Sequence, residues 1–256
     1  MIATQADRPE ILHVDFSDIR AALVAGWRDF IKAPHYGLFF ACFYVVGGWL
    51  IYWSFTAKGQ LVWSLAAGAG FPILGPFIAC GLYEVSRRLE AGEALNRTQI
   101  FTVIFRQKDR QIPSMAAVIV VFFLFWNFLA HMIFALFLGT ATLTNISSSL
   151  SVFASVQGLT MLAVGSSVGA VFATLLFSLT VVSLPMLLER EVDFVTAMLT
   201  SVGVVTESPV VMLGWGMLIA VLLFFGMATG FLGLFVVLPI LGHATWHLYR
   251  RAITWP

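Results

Sequence analysis

The sequence predicts an all-α polytopic membrane protein with six transmembrane helices in three hairpins and three cytoplasmic amphipathic interfacial helices. Of its 256 residues, 60% are hydrophobic and only 11% are charged, whereas a soluble domain carries about 25% charged residues. Long apolar runs recur along the chain, and nearly all charges fall on one side of them. The balance of 14 Lys and Arg against 13 Asp and Glu leaves no basic surface for nucleic acid.

Six apolar runs are long enough to cross a bilayer, because a helix needs about 20 apolar residues to span the hydrocarbon core. They cover residues 35–55, 61–83, 114–138, 159–188, 210–229 and 231–249. The fourth run exceeds one crossing, and we expect it to continue into the cytoplasm beyond Pro185. We expect the runs to form a single integral membrane domain over residues 1–256.

The charge distribution predicts which side of the membrane the chain ends occupy. Six spans bring both ends to the same side, and every Lys and Arg except Lys58 falls on that side. The positive-inside rule makes this side the cytoplasmic one. Charged residues also interrupt the first 33 positions, so no secretory signal is expected there. We therefore expect a multi-pass protein with cytoplasmic N- and C-termini.

Three cytoplasmic segments show the apolar spacing of amphipathic helices. They cover residues 17–32, 97–107 and 192–205, and each is followed by a proline: Pro34, Pro113 or Pro209. In the first segment we expect Asp29 on the polar side. The return helices of the three hairpins share a second proline, at Pro76, Pro185 or Pro239. This repeated design indicates either an ancestral triplication or the convergent requirements of membrane helices.

One polar cluster is expected near the cytoplasmic surface. His243 and His247 are four residues apart, so they share a face of their helix. A tyrosine followed by an arginine pair occurs at the ends of two return helices. The candidate cluster consists of Tyr83, Glu84, Arg87, Arg88, His243, His247, Tyr249 and Arg250. The alternative is that each of these groups reaches lipid headgroups separately.

The sequence offers no set of residues typical of a metal, cofactor or catalytic site. The histidine pair lacks further ligands, and His131 and His243 lie at different depths, which disfavours a haem between them. Cys42 and Cys80 lie inside apolar runs, where buried free thiols are expected. The chain carries no phosphate-binding loop, dinucleotide fingerprint or nucleophile elbow. We therefore expect no cofactor, no catalytic residue and no enzyme activity.

Four stretches together resemble a bacterial family of predicted integral membrane proteins of unknown function. They are residues 26–29 (GWRD), 75–76 (GP), 81–93 (GLYEVSRRLEAGE) and 242–250 (GHATWHLYR). The likeness extends over nearly the whole chain, from about Val14 to Arg251. The resemblance implies a multi-pass protein of a bacterial inner membrane. It implies no established activity, substrate or catalytic residue.

The leading hypothesis is a non-catalytic accessory, assembly or scaffold protein of the inner membrane, associated with a larger respiratory or other energy-transducing complex. No Asp, Glu, Lys or Arg occurs at mid-bilayer depth, where functional sites are usually marked by an ionisable residue. Two G-x-x-x-G motifs, at residues 165–169 and 226–230, favour helix packing within the chain or homo-oligomerisation. Expected partners are the lipid bilayer and either a membrane protein or a second copy. The alternative is a transporter or channel for a neutral or lipid-like substrate.

Overall fold

The computed structural model describes residues 9–56, 78–103, 111–139 and 153–255. In these ranges the main elements are helices. Two strands of two residues each pair with one another in an antiparallel arrangement. The helices are α1 (Phe16–Lys32), α2 (Pro34–Thr56), α3 (residues 78–90), α4 (Arg97–Phe101), α5 (Ile112–Leu138), α6 (Val156–Thr180), α7 (Ser183–Glu189), α8 (Phe194–Glu207), α9 (Pro209–Ala228) and α10 (Leu234–Ala252). The strands are β1 (Glu10–Ile11) and β2 (Ile253–Thr254). The predicted helical class is confirmed.

Four described stretches are long and apolar enough to cross a membrane. They are Pro34–Trp53 in α2, Ile112–Leu138 in α5, Val156–Glu189 in α6 and α7, and Pro209–Ala228 in α9. They coincide with the first, third, fourth and fifth predicted spans. Since each supplies about 20 or more residues, each is sufficient for the hydrocarbon core. A multi-pass membrane protein is therefore supported.

The other two predicted spans are not among these four stretches. Residues 61–77 of the second span lie outside the described ranges, and α3 contains its last positions. Helix α10 covers most of the sixth, but its C-terminal half carries two histidines and the pair Arg250 and Arg251. These polar residues prevent a continuous apolar run of 18 residues. The count of six spans remains a prediction.

Helix α1 occupies the first predicted amphipathic segment. Its N-cap is Asp15, which accepts hydrogen bonds from the backbone N–H groups of Ser17 and Asp18, while the Asp18 side chain accepts from the N–H of Asp15. This reciprocal capping box satisfies N–H groups that the first helical turn leaves without partners. The buried face of α1 packs against α10, and it includes Asp29. The prediction that Asp29 lies on the polar, outward side of α1 is therefore wrong.

The other two amphipathic segments are helical where they are described. Helix α8 begins after Asp193, whose carboxylate accepts the N–H of Thr196 at 2.8 Å. Helix α4 covers the start of the second predicted segment, and residues 104–110 lie outside the described ranges. Pro34 and Pro209 are the first residues of α2 and α9, a position that tolerates the missing N–H. The location of these helices at a membrane interface remains a prediction.

Pro185 explains why the fourth predicted span consists of two helices. Proline has no N–H, and its ring crowds the carbonyl group four residues earlier, which here belongs to Val181. Helix α6 accordingly ends at Thr180, and α7 starts three residues later. The N–H of Val182 donates instead to the Ser201 Oγ of α8, at 3.1 Å. A side chain of the neighbouring helix α8 thus supplies the hydrogen-bond partner for this backbone N–H group at the break.

Close approaches of glycine fix the position of α10 against its neighbours. A Cβ at Gly26 of α1 would lie 2.6 Å from the backbone N of Ala244. A Cβ at Gly37 of α2 would lie 2.8 Å from the Cβ of Pro239, which stands inside α10. Distances below 3.0 Å exclude a Cβ at these glycines unless the neighbouring atoms shift. Helix α10 therefore lies in direct backbone contact with α1, and its Pro239 side chain packs directly on α2.

One glycine of each G-x-x-x-G motif packs closely inside the chain. A Cβ at Gly169 of α6 would lie 3.0 Å from the Trp126 ring of α5, so the absence of a side chain at Gly169 leaves room for this ring. A Cβ at Gly226 would lie 3.0 Å from the side chain of Leu234, across the turn between α9 and α10. Away from this contact, α5 exposes large apolar side chains such as Phe128 and Leu136. Such a surface suits a bilayer rather than water.

Candidate functional site

The charged end of α3 carries a compact ion network. The Nε of Arg87 donates to the Oε2 of Glu84 at 2.8 Å, and the Nε of Arg88 donates to its Oε1 at 2.6 Å. The Nη2 of Arg87 also donates to the Oε2 of Glu93 at 3.0 Å. Glu84 and Arg88 are buried, with 5% and 7% exposure. A buried carboxylate is stable here because two guanidinium groups hold it.

The ion pairs set the protonation of this network. Burial alone would raise the pKa of Glu84, but hydrogen bonds and charges from Arg87 and Arg88 hold that pKa below its usual range. Hydrogen bonding and charge from Arg87 also lower the pKa of Glu93. The hydrogen bond from Arg87 to Glu84 in turn raises the pKa of the guanidinium group. Glu84, Glu93 and Arg87 are therefore charged at neutral pH.

A second set of contacts joins α3 and α7 to the last turns of α10. The indole Nε1 of Trp246 donates to the Oε2 of Glu90 at 2.8 Å, and the Nε of Arg250 donates to its Oε1 at 3.2 Å. The Nη1 of Arg250 also donates to the Oε1 of Glu189 at 3.0 Å. The hydroxyl group of Tyr249 donates to the other oxygen of Glu189. Arg250 thus bridges carboxylates from two different helices.

The two histidines of α10 make separate contacts. The Nδ1 of His243 lies 2.8 Å from the Oγ of Ser86 in α3, and the Nε2 of His247 lies 2.7 Å from the Oδ2 of Asp29 in α1. His243 is fully buried, and its Nε2 has no hydrogen-bond partner among the described residues. The helical spacing of four therefore directs each imidazole to a different helix.

An open crevice of about 680 Å³ lies between these groups. It is lined by Glu84, Arg87, Arg88, Glu90, Ala91, Val103, Leu188, Glu189, Glu191, Trp246 and Arg250. Most of its charged side chains bind one another. Their ion pairs hold α10 against α3 and α7. Among the described residues, no group of three or more His, Cys, Asp or Glu side chains is placed to hold a metal ion.

The structure distributes the eight predicted cluster residues over four places. Glu84, Arg87, Arg88 and Arg250 line the crevice, and Tyr249 donates to Glu189 of its lining. His247 lies against Asp29 of α1. His243 lies against Ser86. Tyr83 is buried in the apolar core. Glu84 is paired with Arg87 and Arg88, and His247 is paired with Asp29.

Sequence reasoning missed Asp29, Ser86, Glu90 and Glu189 as partners of the cluster. Glu90 lies on the same helix as Glu84, so the row of charged residues at the end of α3 could have indicated Glu90 as a member of the cluster. The pairing of Asp29 with His247 joins positions 218 apart, and no local pattern marks it. Cys42 and Cys80 are both free, but Cys42 is exposed, so the burial expected for it is wrong.

The residues of α3, α5 and α6 lie within a region that matches a known family model. Residues 64–189 match the family model DUF2189, described as a predicted integral membrane protein. The resemblance to a family of predicted integral membrane proteins of unknown function is confirmed over these residues, whereas the stretches at residues 26–29 and 242–250 lie outside the match. The DUF2189 match includes three of the crevice carboxylates, Glu84, Glu90 and Glu189, and two of the four motif stretches, at residues 75–76 and 81–93. No curated protein and no solved structure matches the chain.

Proposed function

We propose that this protein is a non-catalytic accessory, assembly or scaffold protein of a bacterial inner membrane, associated with a larger respiratory or other energy-transducing complex. The observation that carries the proposal is the mutual pairing of charges around the crevice. Glu84, Glu90 and Glu189 each accept hydrogen bonds from side chains of the protein itself. Groups fixed in this way are suited to hold helices in place rather than to exchange protons with a substrate.

The proposal includes six spans, with α1, α4 and α8 lying at the cytoplasmic interface. Helix α1 supports this arrangement because its outward face is apolar, with Phe16, Val24, Trp27 and Ile31 all exposed. Basic residues flank that face, and an apolar helix face edged with Lys and Arg favours contact with anionic headgroups. Helix α1 also leads directly into α2, the first candidate span.

The alternative function, a transporter or channel for a neutral or lipid-like substrate, receives less support. It relied on prolines that expose backbone groups to a central cavity. At Pro185 the nearby N–H of Val182 is taken up by Ser201, and Pro239 packs on Gly37. The helix break at Pro185 and the proline inside α10 are thus both covered by protein, and Pro76 lies outside the described residues.

Co-purification from native membranes tests the accessory role. The tagged chain is extracted in mild detergent, separated on native gels, and its partners are identified by mass spectrometry. We expect a discrete complex with a constant partner set, which Arg250→Ala weakens because it removes the bridge between Glu90 and Glu189. Arg97→Ala, at an exposed position of α4, is the matched control and keeps the complex. A chain that always elutes alone contradicts the proposal.

A further inference from the structure

An apolar groove of about 440 Å³ lies between α2 and the turn that joins α9 to α10. Its volume is within the range of about 300–1,000 Å³ found for small-molecule sites. The lining consists of aromatic, aliphatic and glycine residues: Tyr44, Gly48, Ile51, Tyr52, Leu223, Met227, Phe231, Leu234 and Leu238. The groove is separate from the charged crevice and shares no lining residue with it.

The turn beside the groove has an unusual backbone. Gly230 and Phe231 both adopt positive φ angles, of 68° and 69°. A bulky residue rarely takes this conformation, which persists where surrounding contacts enforce it. Here the Nε1 of Trp49 donates to the carbonyl oxygen of Gly230 at 2.8 Å. The Phe231 ring packs so closely on Gly48 that a Cβ there would lie 2.6 Å from it.

Trp49, Gly48 and the turn therefore hold the groove open in a fixed shape. The strained residue, Phe231, is itself part of the lining. A glycine in the facing helix supplies the space for its ring. A preformed site of this kind loses little conformational entropy when it binds a ligand.

The surroundings of the groove determine the chemistry of its occupant. Helices α2 and α9 are both candidate spans by length and composition, so the groove lies along a surface suited to face the bilayer. Neither helix contains a Lys, Arg, Asp or Glu. Tyr52 and Trp53 are exposed at the same end of α2, as expected of side chains near the level of the headgroups. An apolar chain is the ligand that matches this lining.

We propose that the groove binds one acyl chain of a membrane phospholipid and selects it by the chain rather than by the headgroup. The site is continuous with the bilayer-facing surface, but its fixed shape distinguishes it from the flat helix faces around it. The proposal does not rest on the accessory role, because it concerns the isolated protein.

Native mass spectrometry of the full chain, released from mild detergent, tests the proposal. Met227→Trp fills the groove from a half-exposed position on α9, and Met217→Trp places the same side chain at an exposed position of the same helix outside it. We expect one phospholipid to remain on the wild type and on Met217→Trp. We expect at least a tenfold lower bound fraction for Met227→Trp. Thermal unfolding of each variant shows whether the fold is kept.

Added lipids test the selectivity. Phosphatidylethanolamine and phosphatidylglycerol with identical chains should compete equally for the site, and lipids with shortened chains should compete less. Equal retention by Met227→Trp and the wild type, or no retained lipid on the wild type, would overturn the proposal. A strong preference for one headgroup would overturn selection by the chain. Displacement of a bound polypeptide by Met227→Trp would overturn the lipid as occupant.

Discussion

The Nε2 of His247 lies 2.7 Å from the Oδ2 of Asp29, although 218 positions separate the two residues in the sequence. Asp29 is only 5% exposed, so its carboxylate depends on this partner. One turn away on α10, His243 contacts Ser86 of α3. The spacing of the two histidines thus allows α10 to connect helices from the beginning and the middle of the chain. This arrangement gives the C-terminal helix a central structural role.

Removal of the Asp29 carboxylate should loosen α1 from α10. Asp29→Ala leaves the imidazole of His247 without its partner in a largely buried position. Loss of one partner of a buried polar contact costs about 1–3 kcal/mol. We expect a lower unfolding temperature in detergent, measured by intrinsic fluorescence. Arg28→Ala, at an exposed position next to Asp29 on the same helix, is a suitable control. Equal losses in both variants would contradict this role for Asp29.

His243 should matter more for stability than an exposed histidine. His243→Ala removes a fully buried ring and leaves Ser86 without this contact, whereas His35 is exposed. The buried change creates a cavity and an unsatisfied hydroxyl, and the second of these alone costs about 1–3 kcal/mol. We expect a clear drop in unfolding temperature for His243→Ala and little change for His35→Ala. Indistinguishable unfolding curves for the two variants in detergent would refute this prediction.

The sequence revealed those features of the fold that arise from local patterns. Apolar run length predicted α2, α5 and α9, and helical spacing with a following proline predicted α1 and α8. The partners of the histidines could not be predicted in this way, because they depend on how α1 and α3 pack on α10. Pro185 shows both what a local pattern predicts and what depends on the packing of helices. Proline chemistry predicts a disturbance there, but only the position of Ser201 shows how the break is satisfied.

Acidification should weaken the ion network of α3. Arg87 and Arg88 overcome the effect of burial and lower the pKa of Glu84 in the folded state. A carboxylate with a lowered folded-state pKa stabilises the fold above its unfolded pKa of about 4.3, and this contribution is lost as the pH falls further. We therefore expect Glu84→Gln to be less stable than the wild type at neutral pH, with the difference shrinking below about pH 4.

Thermal unfolding measured across this pH range tests the role of Glu84. Glu10→Gln serves as the control, because Glu10 is exposed in β1. Its unfolding temperature should follow that of the wild type at each pH. A stability difference for Glu84→Gln that stays constant down to acid pH would show that the network does not act through ionisation of this carboxyl group.

The predicted orientation can be tested by labelling single cysteines in intact cells. The charge distribution places the segment near Ser148 outside and the segment near Gln107 in the cytoplasm; both positions lie outside the described residues. A membrane-impermeant thiol reagent should therefore label Ser148→Cys and not Gln107→Cys, in a background where Cys42 and Cys80 are replaced by alanine. Permeabilised cells provide the control, because both positions should then react. The reverse pattern in intact cells would place Lys58, rather than the other basic residues, on the cytoplasmic side and would overturn the predicted topology.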